Sequence, residues 1–211
     1  PSVSAIRSAL ETFSPHLDGS PGRFNLLEVN GATIVVDYGH NTSALGAILD
    51  ALKNFPETRR RTLYSAPGDG RNEDMDALGR MLGDHFDSGG LYEDRYVRGR
   101  SEGEIMRLMR EGLEQGRRVR EIEEIRGSIA AVERVLATVQ PGELLLLQAD
   151  EIDVTVNFLK EYLAAHPEVQ QVKLPEPATS ETVEIAKHLE VTVVEMLAES
   201  PPALKTEPAL A

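Results

Sequence analysis

FNLLEVNGATIVVDYGHNTSAL, residues 24–45, is the stretch that decides the fold. Two apolar runs flank Asn30-Gly31, the residue pair of a tight type I′ turn, so residues 24–37 are expected to form a β-hairpin. The second run, Ile34 to Val36, passes straight into Asp37-Tyr38-Gly39-His40-Asn41, and a helical pattern follows, with Thr42 or Ser43 as the expected N-cap. A hydrophobic strand that ends in an acid, an imidazole and an amide either ties down its own loop or forms part of a binding site.

The same strand–helix unit then repeats. Strands are expected at 61–66, 89–94, 118–122 and 143–149, each after a helical pattern, at about 42–54, 73–86, 103–116 and 127–139. A last helix is expected at about 151–164. Leu144 to Leu147 show no polar alternation, as in a strand covered on both faces. The expected architecture is α/β: a Rossmann-like, mostly parallel sheet with an N-terminal β-hairpin and helices on both faces. Ile105, Met106, Leu108 and Met109 recur at helical spacing and read as a core stripe. Arg59-Arg60-Arg61 reads as a solvated edge before a strand.

Outside this unit, residues 3–13 have helical spacing, 14–23 read as a loop, and 166–211 read as a linker, a further helical pattern and a Pro-rich tail. The chain begins at Pro1 without an initiator Met and is expected to be a piece of a longer protein. Its 211 residues carry a formal charge of −13 and no cysteine. The charge argues against nucleic acid or an anionic membrane as partner, and the cysteine count excludes disulfides and thiolate metal sites. No apolar run is long enough to span a membrane and no signal peptide is visible, so a cytoplasmic location is expected. The sequence leaves a homo-oligomer open.

In open α/β sheets ligands bind beyond the carboxyl ends of the parallel strands. Four polar loops should share that rim: Asp37 to Asn41, APGDGRNED (66–74), EDRYVRGRSEGE (93–104) and QADEID (148–153). Asp37 is placed to accept ribose hydroxyls, and arginines 71, 98 and 100 can grip a carboxylate or phosphate. His16, His85, His166 and His188 share no metal-ligand spacing, so no metal site is expected here. A self-contained nucleotide-binding enzyme of doubly wound type is disfavoured by the lack of Gly-x-Gly-x-x-Gly after the first parallel strand.

PGRFNLLEV and ATIVVDYGHN resemble the opening of the C-terminal domain of the Mur-type amide ligases, and APGDGRNED with EDRYVRGRSEGEI is most similar to the cyanophycin synthetase branch of that family. The resemblance runs over about residues 3–164. It implies that residues 1–20 are the end of a central ATPase domain plus a hinge, that 21–165 are the ligase C-terminal domain, and that 166–211 are a tail. It implies ATP-dependent phosphorylation of a carboxylate, followed by attack of an amine on the acyl phosphate, with an amino acid such as arginine joined to an aspartate side chain. By position, Arg23, Asp37, His40 and Asn41 would serve the nucleotide. Arg71, Asp94, Arg98 and Arg100 would serve the incoming amino acid and carboxylate substrates.

The phosphate loop Gly-x-x-x-x-Gly-Lys-Ser/Thr is absent from these 211 residues. ATP and Mg2+ would therefore be held mainly by the central ATPase domain of the same protein. The domain is expected to swing about residues 14–23 to close on them. Thr42 stands where the family pattern usually has proline. That departure and the tail leave a second reading, a non-catalytic binding or scaffold domain that keeps the ligase fold.

Overall fold

The computed structural model describes residues 16–56, 59–94 and 97–167. The helical pattern at 3–13 and nearly all of 166–211 lie outside the described residues. Two strands, β1 (Asn25–Val29) and β2 (Ala32–Asp37), form the expected antiparallel hairpin, with Leu27 opposite Ile34. Helix α1 (Thr42–Leu52) leads to β3 (Arg59–Tyr64), α2 (Asn72–His85) to β4 (Ser88–Glu93), α3 (Glu104–Leu113) to β5 (Glu121–Arg126), and α4 (Ser128–Thr138) to β6 (Glu143–Gln148). Helix α5 (Ile152–Ala165) closes the series.

The sheet order is β1-β2-β6-β3-β4-β5, parallel except for the first pair. The chain steps outward from β3 to β5 and then returns to the centre at β6. Right-handed crossovers in opposite directions place their helices on opposite faces. One core accordingly joins Val35, Leu144 and Leu146 to residues of α1, α2 and α3, such as Leu45, Leu78 and Met109. The other joins Ile34, Val36, Leu145 and Leu147 to Val132 and Leu136 of α4 and Leu159 of α5. The four leucines of β6 alternate between the two cores, which is why that strand shows no polar alternation.

Helices α2 and α3 cross at backbone distance. A Cβ built on Gly112 would lie 2.1 Å from the carbonyl oxygen of Asp76, and one on Gly79 would lie 2.2 Å from that of Met109. Only glycines permit this approach.

Two sequence expectations change. The arginine run is not a solvated edge. Strand β3 begins at Arg59 and lies between β6 and β4, and Arg60 and Arg61 are half-buried. Arg60 donates to the carbonyls of Leu52 and Phe55, and Arg59 and Arg61 pair with the buried Glu143. Their aliphatic stems cover the strand while the charged heads find partners. Strand β5 begins at Glu121, three residues later than expected, and its Glu-Ile-Glu-Glu-Ile-Arg pattern is that of a charged outer strand.

Residues 16–23 form turns and bends, the loop expected there, and they are tied to the domain. Leu17 is fully buried in the second core, Asp18 pairs with Lys160 of α5 at 2.7 Å, and the Gly22 carbonyl accepts from the Tyr38 amide at 2.9 Å. Asn25, itself buried, accepts from the Gly22 amide and donates to the Ser20 carbonyl. This segment belongs to the body of the domain.

Candidate active-site rim

The carboxyl ends of β2, β6, β3 and β4 point the same way because the strands are parallel and adjacent. A buried polar network fixes them relative to one another. Gln148, at the end of β6, accepts at Oε1 from the Ser65 amide (3.2 Å) and from the Tyr92 hydroxyl (3.1 Å), and donates to the Tyr38 carbonyl at 3.4 Å. Tyr92 Oη also donates to the Gln148 carbonyl and accepts from the Asp150 amide. Tyr64 Oη donates to the Gly39 carbonyl. Burial pushes both phenols well above the usual tyrosine range, so they remain donors.

Asp37 and Asn41 have local duties. Asp37 accepts from the Phe24 amide (2.8 Å) and the Gly39 amide (2.6 Å), which ties the chain entry and the strand end together. Asn41, rather than Thr42 or Ser43, is the N-cap of α1, and its Oδ1 accepts from the Ala44 amide at 2.8 Å. The Asn41→Ala variant is expected to lose about 1 kcal/mol of stability in urea denaturation, the usual value of such a cap.

Beside them runs a stack. The exposed Arg23 guanidinium lies 5.2 Å over the Tyr38 ring, and the Tyr38 and His40 rings are 4.6 Å apart. Arg23 has no ion pair among the described residues. His40 Nδ1 is shut off from solvent without a hydrogen-bond partner.

Next to this stack is a cleft of about 100 Å³, lined in part by Ser65, Gly68, Asp94, Arg98 and Asp150. Arg98 adopts φ +50°, a left-handed conformation rare outside glycine, and its Nη1 meets Asp69 Oδ1 at 3.0 Å. That hydrogen bond holds the Asp69 carboxyl below the usual range. Asp94 accepts from the Ser128 amide at 2.8 Å, at the start of α4. Asp150 is half-buried, and burial raises its carboxyl, with Arg98 and His40 opposing.

Arg100 and Arg71 are not among the residues lining the cleft. Arg100 is largely buried and bridges two loops: its guanidinium donates to the carbonyls of Gly68 and Gly70 (both 2.6 Å), to Asn72 Oδ1 (2.8 Å) and to Glu104 Oε1 (2.7 Å). The loops are in such contact that a Cβ on Gly68 would lie 2.1 Å from the Val97 carbonyl oxygen. Arg71 occupies the N-cap position of α2 and makes a two-point contact with Asp74, which holds that carboxyl down. Glu93 is a further structural acid, buried and accepting from the amides of Gly103 and Ile105 at the start of α3.

The structure thus brings Asp94 and Arg98 to one cleft, sets Arg23, Asp37, His40 and Asn41 along the neighbouring strand end, and gives Arg71 and Arg100 partners within the domain. Asp69 and Asp150 stand in loops legible from the sequence, but their pairing and burial are not. Among the described residues no group of three or more His, Cys, Asp or Glu could hold a metal ion, and no helix is long and apolar enough to cross a membrane.

Residues 22–150 match the model of the family described as Mur ligase, glutamate ligase domain. The chain is 28% identical over 170 residues to a cyanophycin synthetase of Nostoc sp., covering 81% of this chain and 19% of that protein. It is 30% identical over 134 residues to the UDP-N-acetylmuramoyl-L-alanyl-D-glutamate–2,6-diaminopimelate ligase of Bradyrhizobium diazoefficiens, covering 63% of this chain and 26% of that one. The chain therefore spans about a fifth to a quarter of the length of these relatives. Among solved structures, a UDP-N-acetylmuramoyl-L-alanyl-D-glutamate–2,6-diaminopimelate ligase superposes with a TM-score of 0.57 at 20% identity, covering 79% of this chain and 35% of that chain. A bifunctional folylpolyglutamate synthase/dihydrofolate synthase from Yersinia pestis, complexed with AMPPNP and Mn ion, gives 0.54 at 16% identity, with 78% and 34% covered.

Proposed function

From the premise that this chain belongs to the Mur ligase, glutamate ligase domain family, a family of ATP-dependent amide ligases, we propose that it supplies one wall of a ligase active site. The carrying observation is the cleft itself, in which Arg98 and two carboxylates, Asp94 and Asp150, converge beside the Arg23–Tyr38–His40 stack. The reaction proposed is the joining of an amino acid to a carboxylate that ATP has phosphorylated. The cyanophycin synthetase relatives favour arginine and an aspartate side chain as the pair. In that arrangement Arg98 takes the α-carboxylate and Asp94 faces a cationic side chain.

The nucleotide side fits a base and ribose. Arg23 stacks on Tyr38 and makes no ion pair among the described residues, His40 Nδ1 is a buried polar atom without a partner, and Asp37, which accepts two amides, has lone pairs left for a ribose hydroxyl. The triphosphate and Mg2+ are assigned to the preceding central domain. Bound there, ATP supplies the phosphoryl group that activates the carboxylate. The residues of this chain orient the amine, exclude water and hold the two substrates at reacting distance.

The test is steady-state kinetics on the complete protein with ATP, arginine and an aspartate-rich acceptor. Arg23→Ala is expected to raise the ATP KM about tenfold while leaving the arginine KM and the melting temperature unchanged. Arg98→Ala should do the reverse, raising the arginine KM alone. Absence of acceptor-dependent ADP release by the wild-type protein would favour the scaffold reading.

A further inference from the structure

Asp150 is set apart from the other half-buried or buried acids on this rim. Asp37, Glu93, Asp94 and Glu104 each accept backbone amides or a guanidinium. The Asp150 carboxylate accepts no hydrogen bond from any described residue, although its own amide is fixed by the buried Tyr92 hydroxyl at 3.1 Å. It lines the cleft just past the end of β6, beside the Tyr92–Gln148 hydrogen-bond network.

An amino-acid amine is an ammonium ion near neutral pH and has no free electron pair. Its attack on an activated carboxyl therefore needs a proton acceptor within the same cleft. Resting on the ligase reading above, we propose that Asp150 is the catalytic base that takes a proton from the incoming ammonium group. The N–H bond breaks, its electron pair stays on nitrogen, and the proton passes to an Asp150 carboxylate oxygen. The neutral amine attacks the acyl carbon, the C–N bond forms, the C–O bond to phosphate breaks, and the phosphate leaves with that electron pair. The second surplus proton on nitrogen goes to the departing phosphate. Asp150 then returns its proton to solvent at the cleft mouth.

The surroundings suit a base that must accept a proton from an ammonium group. Burial and the neighbouring Asp94 and Asp69 raise its proton affinity, whereas Arg98 from the loop after β4 and His40 from the loop after β2 restrain the rise. Tyr92, from β4, stays protonated, donating to Gln148 and accepting from the Asp150 backbone amide.

The experiment uses the complete protein carrying Asp150→Asn, with ATP, an aspartate-rich acceptor and either arginine or hydroxylamine as nucleophile. Hydroxylamine is largely neutral at pH 7 and needs no base. Arginine addition is expected to fall on the order of 100-fold in kcat, the scale of a lost general base, with the arginine KM changed less than about threefold, while hydroxamate forms at the wild-type rate. Asp150→Glu should restore part of the arginine activity. Arginine addition within about threefold of wild type would overturn the proposal, as would equal loss with both nucleophiles, which would mark Asp150 as structural. Wild-type protein that forms no hydroxamate would sink the ligase reading itself, and the proposal with it.

Discussion

Gly112→Ala is expected to lower the stability of the chain by about 3 kcal/mol, the upper end of the usual cost of overpacking. A methyl group there meets the Asp76 carbonyl oxygen at 2.1 Å and the Arg80 amide nitrogen at 2.9 Å. These are backbone atoms of a facing helix, so no side chain can rotate away. Helices α2 and α3 must separate, and the core they share with Leu78, Leu82, Ile105 and Met109 opens with them. Gly46→Ala, inside α1, is the matched control. Its new methyl group meets only Met81 Cε, at 3.9 Å, and the loss of glycine's backbone freedom should stabilise by about 0.5–1 kcal/mol. Urea denaturation followed by circular dichroism reads both, since the chain has no tryptophan. Equal stability of the two variants would mean that α2 and α3 do not cross at backbone contact.

Arg100→Ala is expected to cost about 2–4 kcal/mol and to impair amino-acid use at the same time. Its four hydrogen bonds run to the loop after β3 and to the first residues of α2 and α3, and charged hydrogen bonds carry roughly 1.5–3 kcal/mol each without adding in full. Removing the guanidinium leaves Glu104 without its cation and the carbonyls of Gly68 and Gly70 without a side-chain donor. The cleft wall that carries Arg98 then loses its brace. Arg100→Lys should not rescue, because an ammonium group cannot span two carbonyls and two side chains in one plane. Arg98→Ala, by contrast, removes one exposed ion pair and should alter stability by less than about 0.5 kcal/mol. Unchanged stability in Arg100→Ala would return Arg100 to the role the sequence suggested, a grip on the substrate carboxylate.

Arg98 and Arg100 also show where sequence reading stops. They are two residues apart and chemically identical, and both belong to a loop expected on the rim. Between Arg98 (φ +50°) and Arg100 lies Gly99 (φ +91°), and one arginine reaches an exposed aspartate while the other is buried under two loops. Nothing in the local pattern separates them, because the difference is made by Gly68 and Gly70, about thirty residues upstream. Asp150 is the same case. Glu151 and Asp153 stand beside it as equal candidates, and only the fold makes Asp150 half-buried, with a carboxylate that accepts no hydrogen bond from the described residues. The strand–helix alternation from Ala32 onward was legible because apolar period and turn residues are local signals. The start of β5 was not, because Glu121 to Arg126 contain only two apolar residues. The depth of Arg60 and Arg61 was hidden too, since it depends on Glu143 and on the carbonyls at the end of α1.

The position of β6 has a consequence for how the chain is made. Strand β2 pairs with β1 and β6, and β3 with β6 and β4, so the hairpin and the β3–β4–β5 group share no strand pairing of their own. During synthesis both groups are translated before residues 143–148 exist. Of the described strands the last to appear is the one that joins them, and the folding rate is tied to contacts across more than a hundred residues. A translation product that stops before Glu143 therefore carries two incomplete sheets, each with an apolar unpaired border of the kind that recruits other chains into aggregates.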